Sequence, residues 1–493
     1  MTATVAIPLA GALFLAFGPR LPDPIARRFA LATAIAPLLL LIGAWFRFDP
    51  AGPQFQLVLD VPWVPSLGMG FRLGVDGIAL AVAGMSALLF VGAIAYPVDT
   101  RGMARQYYAW MLFLEMASLG LFLALDLLLF YVFFDLSLVG MYFLIGRWGH
   151  GKPRFAALKF FIYTLVGSLA LLLGILGLYL ATEPATFDMR VLIEQQVLAG
   201  SGALAGLVLL CFVIGFAIKT PLVPFHTWLP RAHVDAPAPA SALLAGVLLK
   251  MGTYGLLRIP FSMMRETFAV WAPWLAVTAL VSIVYGALVA LGQADLKRRI
   301  AYTSINHMGY TVLGIAVAGA MLEGNEAARQ LALTGAVLEM VAHGLITGSL
   351  FLVAGSFWQR GETYEIDAYG GLAAQAPRLA LLTIVAAFAS FGLPGMAGFV
   401  AELHIFVGTF GVYPWLAAIG LLGIVITAAL FLQMLQQLFF GRRPRRWADF
   451  PDLDFNESLV LGVLLALTIV IGVYPGFLLD AIVPSVRWLI GAG

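Results

Sequence analysis

Apolar residues run along the chain in long blocks, with polar residues gathered in short stretches between them. A block of about 20 apolar residues crosses a hydrocarbon core as a helix. By that measure spans are predicted near 2–18, 28–46, 73–95, 107–125, 127–146, 156–181, 203–229, 240–260, 268–292, 299–320, 330–357, 379–410, 414–440 and 458–480. The pattern carries no strand-like alternation, so a β-barrel is excluded. The expected fold is all-α, a polytopic transmembrane bundle of about fourteen helices.

Two spans break the rhythm. The seventh, 203–229, contains Pro221 and Pro224, and the twelfth, 379–410, contains Gly392, Pro394 and Gly395. Proline removes a backbone donor and frees a carbonyl, and such broken backbone is tolerated at membrane depth only against protein or a wet cavity. The two breaks lie five spans apart, an odd number, so they enter the membrane from opposite sides, as in an inverted repeat. The layout predicts helices 1–3 within residues 1–100, a first five-helix half at 101–265 and a second at 266–440. A loop and the last helix follow at 441–493.

The basic residues sharpen the topology. Arg27, Arg28, Arg101, Arg105, Arg147 to Lys152, Arg231, Lys297 to Arg299, Arg360 and Arg442 to Arg446 all fall between an odd span and the next even one. Positive residues mark cytoplasmic loops, so both termini are expected on the outer face of a bacterial inner membrane. The first helix has no basic stretch before it and reads as retained, not as a signal peptide.

Composition agrees: 62% of residues are hydrophobic and 11% charged, against roughly 45–50% and 25% in soluble domains. A net charge of +2 with scattered arginines gives no nucleic-acid surface. Cys211 is the only cysteine, too few for a disulfide within the chain or a cysteine-held zinc or iron–sulfur site. Gly68-Met-Gly70 lacks the frame of a dinucleotide fingerprint, and Gly151-Lys152 lacks phosphate-loop spacing. His226 and His233 are too loosely spaced, with prolines about them, for a zinc helix motif.

The chemistry therefore lies in ionisable residues placed where lipid is expected. Each such residue costs about 2.5–3.5 kcal/mol on insertion scales. Lys250 is flanked on both sides by apolar sequence, and Lys219 stands just before the break at Pro221. Asp135 lies mid-span and requires a cation such as a lysine to remain charged. Glu115 poses the same question, with a protonated, hydrogen-bonded carboxyl as the plain alternative. Glu402 follows the second break, and His307 and His343 lie in the tenth and eleventh spans. Glu339 precedes His343 by one helical turn and shares its face.

Several segments then resemble a known family. They are Gly74-Val-Asp76-Gly, Lys159-Phe-Phe-Ile-Tyr-Thr-Leu-Val-Gly-Ser168, Phe216-Ala-Ile-Lys219-Thr-Pro, Leu244-Ala-Gly-Val-Leu-Leu-Lys250-Met-Gly, Lys297-Arg-Arg-Ile-Ala-Tyr-Thr-Ser-Ile-Asn-His307 and Gly395-Met-Ala-Gly-Phe-Val-Ala-Glu402. Over nearly the whole chain the sequence resembles the antiporter-like subunits of respiratory complex I, of the M (chain 4) type. The resemblance implies two inverted helix units and proton translocation driven by redox chemistry elsewhere. FMN, iron–sulfur clusters and quinone would sit on other subunits, and neighbouring antiporter-like subunits would be partners. It implies a carboxylate–lysine pair at Asp135 and Lys219, a central proton-carrying lysine at Lys250, bridging residues at His307 and His343, and a terminal Glu402. Glu115, Lys159 and Glu339 are accessory candidates.

Two positions depart from the family pattern. Asp135 stands where glutamate is usual, so its reach toward Lys219 is one methylene shorter, and Arg231 stands where aspartate is common. A subunit of a multisubunit sodium/proton antiporter or of a membrane-bound hydrogenase is the competing class. A scaffold whose buried charges only fix helix register is the third.

Overall fold

The computed structural model describes residues 1–200, 202–322 and 324–491. Among them the chain begins with α1 (Thr2–Phe17) and α2 (Asp23–Arg47), followed by a hairpin of β1 (Gln56–Val64) and β2 (Met69–Val75). Then come α3 (Gly77–Ala95), α4 (Ala104–Leu123), α5 (Leu127–Trp148), α6 (Pro153–Leu180), the short α7 (Met189–Gln195), α8 (Ala203–Lys219), the short α9 (Leu229–Asp235) and α10 (Ala238–Phe261). The second half holds α11 (Arg265–Leu291), α12 (Leu296–Gly319), α13 (Glu326–Gly361), α14 (Pro377–Ser390), α15 (Ala397–Val412) and α16 (Pro414–Phe439). It is closed by α17 (Phe455–Val473) and α18 (Gly476–Ile490). Nine of these helices, among the described residues, are each long and apolar enough to cross a membrane unaided. Counting the shorter apolar α1 and the charged α4 and α12, and joining α8 to α9 and α14 to α15, recovers the predicted set of crossings.

Burial separates the helices by role. In α6 the residues Leu158, Ile162, Val166, Leu169 and Leu173 are exposed, while Phe160, Thr164, Ser168 and Leu171 are buried. The exposed face is suited to lipid and the buried one holds the polar hydroxyls. By contrast, the most apolar stretches of α10 and α13 are wholly buried, so these two helices form the interior on which the others pack. An ionisable side chain within those stretches is kept from lipid by protein on every side.

Side chains fix where the crossings begin. Asp126 caps α5 by accepting from the backbone N–H of Leu128 and Leu129 at 3.1 and 3.2 Å. Asp76 caps α3, accepting from Ala79 N–H at 2.8 Å. Its two oxygens also take Nη2 of Arg258 at 2.7 Å each, a fully buried ion pair that ties α3 to the end of α10. Asp454 and Glu457 form a reciprocal capping box at the start of α17.

Three expectations from the sequence are corrected. The span predicted from 73 starts instead with a strand, because 56–75 form an antiparallel hairpin turning at Gly68 (φ +68°). Valine and tryptophan favour the extended strand, but Asp60 and Pro62 interrupt the alternation and hide its signal. The span predicted to run to 480 ends at Val473, before Pro475, and the chain restarts as α18. That helix buries Leu478, Ala481, Ile482 and Val486 at helical spacing, and its Ser485 hydroxyl accepts from the Gly77 N–H at 2.9 Å. Finally, Lys297 and Arg299 are not solvated loop cations: they are 0% and 3% exposed.

Candidate functional site: a row of buried ionisable groups

The first break lies between α8 and α9, and Lys219 ends α8 just before it. The side chain is 1% exposed. Its Nζ donates to the Ser137 hydroxyl at 3.2 Å and lies 4.8 Å from the centre of the Phe134 ring. Asp135 occupies the same stretch of α5 but accepts instead from the Ser168 hydroxyl on α6. No ion pair within 4.0 Å joins Asp135 to Lys219 among the described residues. The short aspartate is held by a serine, and the lysine rests on the neighbouring serine and aromatic ring.

Beside Lys219 the end of α8 packs backbone to backbone against α10. A Cβ at Gly252 would lie 2.7 Å from the Thr220 nitrogen and 3.0 Å from the Phe216 carbonyl oxygen, so only glycine allows this contact. Two residues before it stands Lys250, fully buried. Wide π-helical turns at Leu244–Leu248 and Leu257–Phe261 flank the lysine. Such turns mark functional stretches of helix. Here the Ala245 carbonyl, five residues back, takes the Lys250 Nζ at 2.8 Å. The same Nζ lies 2.5 Å from Nδ1 of His343 on α13. When Lys250 is an ammonium it has donors only, and Nδ1 then accepts with the His343 proton on Nε2.

The row continues through the second half. The His343 and His307 rings are centred 5.4 Å apart. His307 Nδ1 is 3.0 Å from Oε1 of Glu339, one turn before His343 on α13, and its Nε2 is 3.3 Å from the Ser390 hydroxyl. Ser390 is the last residue of α14, at the second break. Across that break Glu402 on α15 is 4% exposed and packs against Gly392. Five candidates, Lys250, His343, His307, Glu339 and Glu402, are thus brought to one polar seam between the centre and the second break.

The other candidates lie apart. Glu115 on α4 is fully buried, and neither carboxylate oxygen has a hydrogen-bond partner among the described residues. Lys159, half-buried near the start of α6, donates to the Thr227 carbonyl at 2.9 Å and bridges the irregular segment after the first break. Arg231 stands over the Phe155 ring at 5.5 Å, which is a contact an aspartate could not make. No cluster of metal-binding side chains is found among the described residues.

Sequence reasoning passed over four groups: the hydroxyls of Ser137, Ser168 and Ser390, and the fully buried His233. Serines carry no charge to flag them. His233 is weighed only as a zinc ligand, where its spacing fails.

Residues 124–427 match the NADH:quinone oxidoreductase/Mrp antiporter transmembrane family. An NADH-quinone oxidoreductase subunit M of Rhodobacter capsulatus is 37% identical over 98% of this chain and 95% of its own length. An NAD(P)H-quinone oxidoreductase chain 4 of Nostoc sp. is also 37% identical, over 96% of this chain and 88% of its own. A chain of respiratory complex I from Thermus thermophilus superposes with a TM-score of 0.89 at 30% identity, each chain covered in full. A chain of the Mrp complex from Dietzia sp. shares the fold, with a TM-score of 0.87 at 20% identity over 100% of this chain and 98% of its own. The chain belongs to the NADH:quinone oxidoreductase/Mrp antiporter transmembrane family, and the relatives it resembles at full length are M (chain 4) subunits.

Proposed function

We propose that this chain is the M-type proton-translocating subunit of an NADH:quinone oxidoreductase. It sits beside other antiporter-like subunits in a bacterial inner membrane, with both termini on the outer face. FMN, iron–sulfur clusters and quinone belong to other subunits and supply the driving redox chemistry. Helices α4 to α10, residues 101–265, form the first half of the machinery and 266–440 the second.

One observation carries the reading: Lys250 is fully buried and its Nζ contacts a histidine ring nitrogen and a carbonyl, with no carboxylate within 4.0 Å among the described residues. A purely structural buried ammonium is expected to have an anionic partner. A group that must gain and lose a proton is served by such an environment, because a tight ion pair would lock its charge.

Asp135, Lys219, Lys250, His343, His307 and Glu402 form the path in this order, with Glu339 steadying His307 and Glu115 and Lys159 accessory. When Asp135 draws near Lys219, the positive field on Lys250 falls and Lys250 holds its proton. When Asp135 turns back to Ser168, repulsion between the two lysines drives the proton to His343. It then passes by way of His307 and Ser390 to Glu402. Moving one charge against 150 mV takes about 3.5 kcal/mol, from roughly 2.3 per 100 mV.

The test is NADH-driven acidification of inverted membrane vesicles carrying Asp135→Asn. Acidification should be strongly reduced at equal amounts of assembled complex. Normal acidification would remove the aspartate from the path, and sodium transport indifferent to NADH and quinone would move the chain to the antiporter class.

A further inference from the structure

At the end of the molecule opposite the basic loops, three arginines are neutralised by carboxylates. Arg72 and Arg190 meet Asp60, Asp126 and Asp188, and Arg258 meets Asp76. Arg265 and Arg329 stand at the same end and make no ion pair within 4.0 Å among the described residues. Arg329 is nonetheless only 7% exposed.

Both guanidinium side chains line one cavity of about 200 Å³. Its other walls include Phe261 at the end of α10, Phe268 on α11, Met321 just after α12 and Leu489 near the end of α18. A water-sized group needs roughly 10–15 Å³ of such space, so a phosphate, about the size of a few waters, enters. Arg329 Nε donates to the Ala318 carbonyl at 2.7 Å, which holds that side chain against the end of α12. The Nε of Arg265 is buried and has no hydrogen-bond partner among the described residues. A buried donor is costly to leave unmade, and more so when it is charged.

Position within the helices adds to the imbalance. Arg265 is the first residue of α11 and Arg329 lies in the first turn of α13, where the helix dipole already supplies positive charge and disfavours a cation. The charge of Arg265 also acts on Arg329; Glu326 opposes it, but that carboxylate is exposed. An anion in the cavity would satisfy two guanidiniums and two helix N-termini together.

The surroundings select the kind of anion. From Arg265 a stripe of exposed apolar residues, Val270, Trp274, Val277 and Val281, runs down α11 at helical spacing toward the middle of the span. A ligand with a charged head at Arg265 and a long apolar tail covers both features, whereas free phosphate leaves the stripe unused. We propose that this cavity is a headgroup site for an anionic phospholipid of the leaflet opposite the basic loops, with Arg265 and Arg329 on the phosphate and the acyl chains along α11. The site is separate from the proton path and does not depend on it.

The test is a photo-crosslink at the rim. Met321, which is exposed, is replaced by p-benzoylphenylalanine in the assembled complex, and the complex is reconstituted in vesicles of equal parts phosphatidylcholine and phosphatidylglycerol. After irradiation, lipid adducts on this chain are identified by mass. Each arginine beside an anionic headgroup favours it about fivefold, so phosphatidylglycerol adducts should exceed phosphatidylcholine adducts by about 25-fold. Arg265→Gln combined with Arg329→Gln should bring the ratio near unity; if that double variant does not assemble, Arg265→Gln alone should lower it to about fivefold. Arg487→Gln is the control, because Arg487 is exposed at the same end but bonds Gln330 at 3.3 Å outside the cavity wall, and it should leave the ratio unchanged. Equal adducts in the parent, a preference that survives the double substitution, or an equal fall in Arg487→Gln would overturn the site. Crosslinking to a polypeptide and to no lipid would overturn it as well, by showing that a neighbouring subunit covers the cavity. Loss of the preference on adding inorganic phosphate, but not chloride at matched ionic strength, would make the occupant a free anion and refute the lipid.

Discussion

The second break offers a perturbation that separates the place of a carboxylate from its chemistry. Gly392 has φ +73°, and a Cβ there would meet Oε2 of Glu402 at 2.2 Å. In Gly392→Ala the carboxylate must retreat by roughly 0.8 Å to restore the 3.0 Å minimum, while the backbone carries a left-handed penalty of about 1–2 kcal/mol. Gly395 provides the control. Its φ is +92° and a Cβ there meets nothing within 4 Å, so Gly395→Ala carries comparable backbone strain and leaves Glu402 where it is. A misplacement on the order of 1 Å can lower the rate of a positioned step about 100-fold. NADH-driven acidification of inverted vesicles, normalised to assembled complex, should therefore fall at least about tenfold further in Gly392→Ala than in Gly395→Ala. Equal acidification in the two variants would refute the placing of Glu402 on the path.

Three further outcomes are expected. Arg258→Met strands the buried Asp76 and should destabilise the chain by about 3–5 kcal/mol, whereas Arg258→Met with Asp76→Leu should recover most of the loss, read as yield of folded complex in detergent. Asp135→Glu, longer by a methylene and still ionisable, should keep acidification within about twofold of the parent, a shift of no more than about 0.4 kcal/mol; a loss as deep as in Asp135→Asn would mean that the contact with Ser168 is the essential one. On the hairpin, burial works against the Asp60 carboxylate, but bonding to Arg190 and the charges of Arg72 and Arg190 hold it below the usual range. A lowered folded value stabilises above the unfolded value, about 3.9, and the gain is lost as pH falls through the folded one. Protease nicking at the hairpin should therefore rise only below about pH 4, and nicking that begins near pH 6 would contradict the assignment.

The crossings were legible because each needs one long apolar block, and the two breaks because proline and glycine stand inside such blocks. Lys250, His307, His343, Glu339 and Glu402 were legible for the same reason: charge is conspicuous against apolar sequence. The hairpin at 56–75 was not, since Asp60 and Pro62 disturb its alternation. Nor was the full burial of Lys297, because a lysine at a helix start looks the same in sequence whether its tip meets water or three acceptors. The separation of Asp135 from Lys219 depends on competition with Ser168 and Ser137, which no spacing rule weighs.

The central claim is that Lys250 carries the translocated proton. Its most direct test is the number of protons moved per electron pair in inverted vesicles bearing Lys250→Ala, with assembled complex matched to the parent. The account predicts a clear fall in that ratio. An unchanged ratio in a fully assembled complex would contradict it.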